Sequence, residues 1–347
     1  MTYRAVLTDP AVGGDALVRI WTDNLHVAGD PRAKLRWQYA DGLHRAEAFL
    51  LRDDDAPVGC AGITVRELWS GDARLRVALL ADFAVDRAHR VGFPALLLQR
   101  AVKRHVDAAY DASYGFPNHN AVAVHKRSGY HELGLMGRYV RVLRHAGYLA
   151  RRFRRPLVSR VAGYAADGAK LAVRVARALA PSRTLALRWL PDVDPRFDRL
   201  WQAEHATFRI ACRRDAAFLR WRFLRAPGDR YRVLALVERQ SERLRAYAII
   251  RGAAGGIAEL ADVFGSLEAI GELMTLMPPA LYGRGHTAIS MRFLGDPRIP
   301  ALLTHHHFSL RDALRTVIVH PGASCPIDPA MLRDPAAWYL TDLDEDI

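Results

Sequence analysis

Short runs in which apolar and polar residues alternate, bounded by turn residues, predict half-buried strands along much of the chain, and stretches of helical periodicity separate them. From Leu80 the order is a strand (LLADFAV), a turn from His89 to Pro94 and a helix (ALLLQRAVKRH). A second strand follows, with a Gly-Phe-Pro-Asn turn at Gly115 to Asn118, then a short helix ending Arg127-Ser128-Gly129-Tyr130. Over 92–106, Phe93, Leu96, Leu97 and Ala101 mark the helical spacing. Two further segments read as hairpins: AFLLRDDDAPVGCAGI turns at Asp53-Asp54-Asp55, and YRVLALVERQSERLRAYAII turns at Arg239-Gln240-Ser241.

The pattern recurs. Leu35-Arg36-Trp37-Gln38-Tyr39 resembles Leu219-Arg220-Trp221-Arg222-Phe223, Leu80-Ala81-Asp82-Phe83 resembles Leu260-Ala261-Asp262-Val263, and Gly129-Tyr130 corresponds to His307-Phe308. The offsets of 184, 180 and 178 residues keep their order along the chain, as a duplication would. The expectation is two copies of one α/β unit, over 1–145 and 186–347, each a mixed central sheet flanked by helices. A basic amphipathic connector over 146–185 joins them. Trp37 and Trp221, at matching places, read as core aromatics.

Charge sharpens this division. Of a net +13, most lies between Arg141 and Leu190, where twelve Lys/Arg face one acid, Asp167. The two units are therefore near neutral, and no DNA-wide basic face is expected. Three readings of the connector stand open: a solvated helical face, a peripheral contact of residues 147–180 with an anionic membrane surface, and RNA binding. Three widely spaced cysteines (Cys60, Cys212, Cys325) fit a reducing compartment. The first residues contain no apolar leader, so the reading is cytoplasmic, with the inner membrane face as the alternative. His305-His306-His307 cannot converge on one ion from regular structure, and no metal is expected.

A strand that feeds a glycine-containing turn into a helix leaves backbone N–H groups pointing outward, a phosphate-sized anion site reinforced by the helix dipole. The residues here, Val85-Asp86-Arg87-Ala88-His89-Arg90-Val91-Gly92-Phe93-Pro94-Ala95 followed by Asn118, Ala121, His125 and Gly129-Tyr130, resemble the GNAT superfamily of N-acyltransferases over about 50 residues. The resemblance is closest to a tandem branch of bacterial acetyltransferases associated with surface-polysaccharide genes, which ends in W-x-L-T-x-x-D-x-D, here Trp338 to Asp346.

That resemblance implies acetyl-CoA or another acyl-CoA as co-substrate and direct attack by an amine acceptor, a small molecule or a surface-polysaccharide or lipid-linked amino sugar. The diphosphate would sit on the turn from His89 through Arg90, Val91, Gly92, Phe93 and Pro94 to Ala95, with backbone of Phe83, Ala84 and Val85 along the pantetheine arm. Asn118 would touch the cofactor, Asp82 would serve as base or ammonium anchor, and His125 would replace the usual tyrosine acid. His89, Arg90 and Pro94 depart from the family's turn; the arginine fork still suits a diphosphate, while proline removes one donor. The second copy lacks the turn over Asp262 to Glu268, so a single cofactor site is expected. Two rivals remain: an aminoacyl-tRNA-dependent transferase similar to FemAB, and a non-catalytic binding protein of the same fold.

Overall fold

The computed structural model describes residues 2–144 and 184–346, apart from His26, Ala28, Arg45, Gly92 and Asp229. Nearly all of the expected connector, including 147–180, lies outside the described residues.

The first half builds β1 (Tyr3–Thr8), α1 (Pro10–Asn24), α2 (Pro31–Leu35), β2 (Glu47–Asp53), β3 (Ala56–Ser70), β4 (Ala73–Val85), α3 (Pro94–Ala109), β5 (Ala112–Gly115), α4 (His119–Arg127) and β6 (His131–Val142). The second half supplies β7 (Leu185–Leu190), β8 (Ile210–Cys212), β9 (Tyr231–Glu238), β10 (Leu244–Arg251), β11 (Ile257–Gly265), β12 (Ala288–Gly295), β13 (Ser309–Pro321) and β14 (Trp338–Leu340), with helices that include Pro195–Glu204 and Leu267–Gly283. Both expected hairpins are present, and Asp54 turns the first with φ 51°. The helix falls where its spacing places it, but its packed stripe is Leu98, Val102 and Val106, with Leu97 and Ala101 at the margin and Phe93 exposed.

The described strands form one mixed sheet, β1-β2-β3-β4-β5-β13-β6-β12-β11-β10-β9-β7, with the short β8 and β14 off this path. Helices flank it, in agreement with the α/β expectation. The expectation of a separate sheet for each copy is corrected. β13, from the second half, is bonded on both sides to first-half strands, β5 and β6; β6, from the first half, lies between the second-half strands β13 and β12. Each half therefore covers the open strand edge that the other would expose. Gly129 (φ 95°) and His307 (φ 65°) turn the chain into these two strands, with Tyr130 and Phe308 buried behind them.

Candidate active site

β4 and β5 run parallel only from Val77↔Ala112 to Leu80↔Gly115, whereas β4 stays paired with β3 as far as Gly59↔Val85. From Ala81 onward β4 therefore has a strand on one side only. The divergence coincides with a bulge: the β3–β4 register jumps between Cys60 and Gly62, and Asp82 adopts φ 53°. A left-handed aspartate is unfavourable unless its surroundings hold it. Here Lys34 Nζ donates to Asp82 Oδ1 at 2.6 Å and the Tyr39 hydroxyl donates to Oδ2 at 2.6 Å. Gly62 makes room for this contact, since a Cβ there would lie 1.8 Å from the Tyr39 hydroxyl oxygen.

The divergence opens a cleft of about 240 Å³, bounded by Asp82 and Phe83 on β4, Asn118 and His125 on or beside α4, and Asp346. Four of the residues singled out in the sequence thus meet in one place. Both carboxylate oxygens of Asp82 are engaged, and the group is buried, so it shapes the bulge and anchors Lys34. His125 is buried edge-on against Phe83 (5.6 Å) and Tyr130 (5.3 Å). Burial pushes its imidazole down to about 4, which corrects the expectation of an acid titrating near neutrality: at pH 7 the ring is neutral. Asn118 Oδ1 accepts from the amides of Asn120 and Ala121 and so caps α4 while facing the cleft.

Ala84 and Val85 bury their side chains in different cores and leave backbone along the one-sided stretch. The turn beyond is braced from within. The Tyr3 hydroxyl and His89 Nδ1 share a hydrogen bond of 2.9 Å. Arg90 folds back, with Nε donating to the Val85 carbonyl at 2.8 Å and Nη2 to Asn24 Oδ1 at 2.9 Å. Val91 is exposed, Gly92 lies outside the described residues, and Pro94 takes the first helical position ahead of Ala95. Phe93 offers α3 no side-chain cap, and the first turn contains no acid. The Arg90 fork, expected on a diphosphate, is thus held by the protein itself, and what is left to suit an anion is the first amides of α3 and its positive dipole end.

Three residues of the cluster escape sequence reasoning. Lys34 and Tyr39 come from α2 and the turn behind it, and Asp346 from the acidic motif that follows Trp338. Burial alone would lower the Lys34 ammonium, but the charges of Asp82 and Asp346 outweigh it and hold the group above its ordinary value. Asp346 keeps some exposure to the cleft, and the protein packed around it raises its carboxyl, with the Asp82 charge adding to the effect against Lys34.

The same motif serves the second half. Arg214, wholly buried, pairs with Asp262 (3.2 Å) and Asp344 (2.9 Å), while Tyr247 and Thr341 donate to Asp262 at 2.7 Å each. The equivalent of Asp82 is thus sealed in an internal network. Buried Arg222 ties the segment down by donating to the carbonyls of Asp342, Leu343 and Glu345.

No protein-family model matches the sequence, and a search of curated proteins likewise gives no match. Solved structures do match. The chain superposes on a probable N-acyltransferase from Enterococcus faecalis with a TM-score of 0.67 at 11% identity, over 93% of this chain and 74% of that one. A GCN5-related N-acetyltransferase from Anabaena variabilis gives 0.63 at 13%, over 92% and 73%. One from Kribbella flavida gives 0.59 at 14%, over 93% and 72%. This chain has the GNAT fold. Within that GNAT fold the cleft lies where β4 and β5 part, between the middle of α3 and α4. Among the described residues no helix is long and apolar enough to cross a membrane, and no group of His, Cys, Asp or Glu is arranged to hold a metal.

Proposed function

We propose that this protein is an acyl-CoA-dependent N-acyltransferase built from two duplicated GNAT-like units, with one active site, in the first. The observation that carries this reading is the parting of β4 and β5 at the Asp82 bulge. It brings a one-sided stretch of β4 and an acidic residue, Asp346, to a single cleft, along which α3, with its uncapped start, runs through Gln99 and Val102. The sealed Asp262–Arg214 network supports assigning the second unit a scaffolding role.

When bound, an acyl thioester supplies an electrophilic carbonyl carbon. The amides at the start of α3 hold phosphate oxygens, and backbone N–H groups of the Phe83–Val85 stretch orient the thioester arm and polarise its carbonyl. Asp346 attracts the ammonium of the acceptor and takes its proton, which a raised carboxyl does better than an ordinary one. Lys34, fixed by Asp82, holds Asp346 in the charged form between turnovers. Neutral His125 packs on Phe83 and keeps the inner end of the cleft dry. The acceptor is a cationic amine, because the acids that line the cleft beside Lys34 are Asp82, Glu345 and Asp346.

Calorimetric titration with acetyl-CoA tests the donor side, and release of free thiol in the presence of an amine panel that includes amino sugars and polyamines tests the acceptor side. Binding together with amine-dependent thiol release supports the proposal; absence of binding by every acyl-CoA at millimolar concentration rejects it.

A further inference from the structure

The outer face of α3 carries a pair of exposed side chains that the packing of the helix does not use. The packed stripe is Leu98, Val102 and Val106, whereas Phe93, at the N-cap position, is 51% exposed. A serine or aspartate there would stabilise the helix by bonding its first amides, and a phenyl ring that stays in water gives nothing in return. The Arg100 guanidinium lies over this ring, 5.6 Å from its centroid. Arg100 stands six residues beyond Pro94, about 9 Å along the axis, so its side chain reaches back toward the helix start. It is itself exposed, and among the described residues it forms no hydrogen bond or ion pair. Arg90, in contrast, is held by the Val85 carbonyl and Asn24. The cation open to a ligand near the start of α3 is therefore Arg100, and an exposed aromatic ring stands beside it.

We propose that Phe93 and Arg100 read the nucleotide end of the acyl donor, with the adenine base packed on the phenyl ring and the 3′-phosphate on the guanidinium; this rests on the acyltransferase reading above. A purine stacks on an aromatic side chain whatever its sequence context, and the guanidinium fork matches phosphate oxygens. The pair thereby selects a donor class: a thioester of CoA, which carries both groups, over one borne on phosphopantetheine alone, which carries neither.

Calorimetry with acetyl-CoA, acetyl-dephospho-CoA and S-acetyl-4′-phosphopantetheine, on the wild type, Arg100→Gln and Phe93→Ser, tests this. The wild type should bind acetyl-CoA about tenfold more tightly than its dephospho form, and Arg100→Gln should abolish that difference. Phe93→Ser should weaken both nucleotide ligands about tenfold and leave the phosphopantetheine thioester unchanged. Both side chains are exposed, so the unliganded melting temperatures should stay at the wild-type value. Equal wild-type affinity for the three ligands, or unchanged affinities in either variant, overturns the proposal. So does a loss of sedimentation with phosphatidylglycerol vesicles in variants that still bind acetyl-CoA as the wild type does, since the pair would then serve a membrane surface. If the wild type binds none of the three, the acyltransferase reading itself falls, and this inference with it.

Discussion

The indole N–H of Trp37 donates to the carbonyl of Trp221 at 2.8 Å, and the indole N–H of Trp221 donates to the carbonyl of Trp37 at 3.1 Å. The two rings stack at 5.2 Å and 21°, and each belongs to a π-helical turn, Arg36–Ala40 in one half and Arg220–Leu224 in the other. The two halves thus meet through the same residue, in the same local conformation, exchanging the same bond.

Replacing either tryptophan with alanine opens a cavity and orphans a buried carbonyl. Trp37→Ala and Trp221→Ala should each cost about 3–5 kcal/mol in urea unfolding. The double variant should cost less than the sum, because the two remove one shared contact. Additive losses would show that the rings act independently.

Acid stability should depend on His125. Its folded value of about 4 lies below the ordinary imidazole value, so the unfolded chain binds a proton that the folded chain refuses. Stability present above pH ~6.5 is therefore lost as pH falls toward 4, on the order of 3 kcal/mol in full. His125→Phe should flatten this slope in chemical denaturation at pH 4 to 7. An unchanged slope would assign it to other groups.

Asp346→Asn should lower kcat by about two to four orders of magnitude, the usual range for a proton-transferring group, and leave the Kd of acyl-CoA unchanged. Because burial raises this carboxyl, the wild-type rate should climb with pH through a midpoint above the ordinary carboxylate range. A pH–rate profile, with equilibrium binding measured alongside, separates this role from a structural one, which would weaken both.

Arg214→Met leaves Asp262 and Asp344 as buried, uncompensated carboxylates. The expected cost is about 3–5 kcal/mol, read as a lower urea midpoint. Arg214→Met combined with Asp262→Leu should recover part of it. Loss of acyl-CoA binding in the folded variant would contradict the scaffolding role of the second half.

The residues that locate the cleft were legible in the sequence because their signals are local. The strand before Asp82, the turn from His89, the helix behind it and the capping Asn118 follow one another within fifty residues. Lys34, Tyr39 and Asp346 were not legible as partners, since they reach the cleft from segments far apart in sequence and only the bulge brings them together. The interleaving of β6 and β13 was invisible for the same reason: alternation predicts a strand, not its neighbour. Only the final acidic motif carried an unread signal, Asp344 and Asp346 being two residues apart and serving different halves.

That interleaving sets how the chain can be divided. Since β6 has both its neighbours in the second half and β13 both its neighbours in the first, no rigid-body movement can separate the two halves without stripping three ladders of hydrogen bonds. Cleavage between 144 and 184 should therefore leave a complex that stays associated, whereas fragments 1–144 and 184–346 made apart should each remain unfolded until mixed. The two halves form one interleaved sheet, and the cleft beside Asp82 depends on a fold that neither half completes alone.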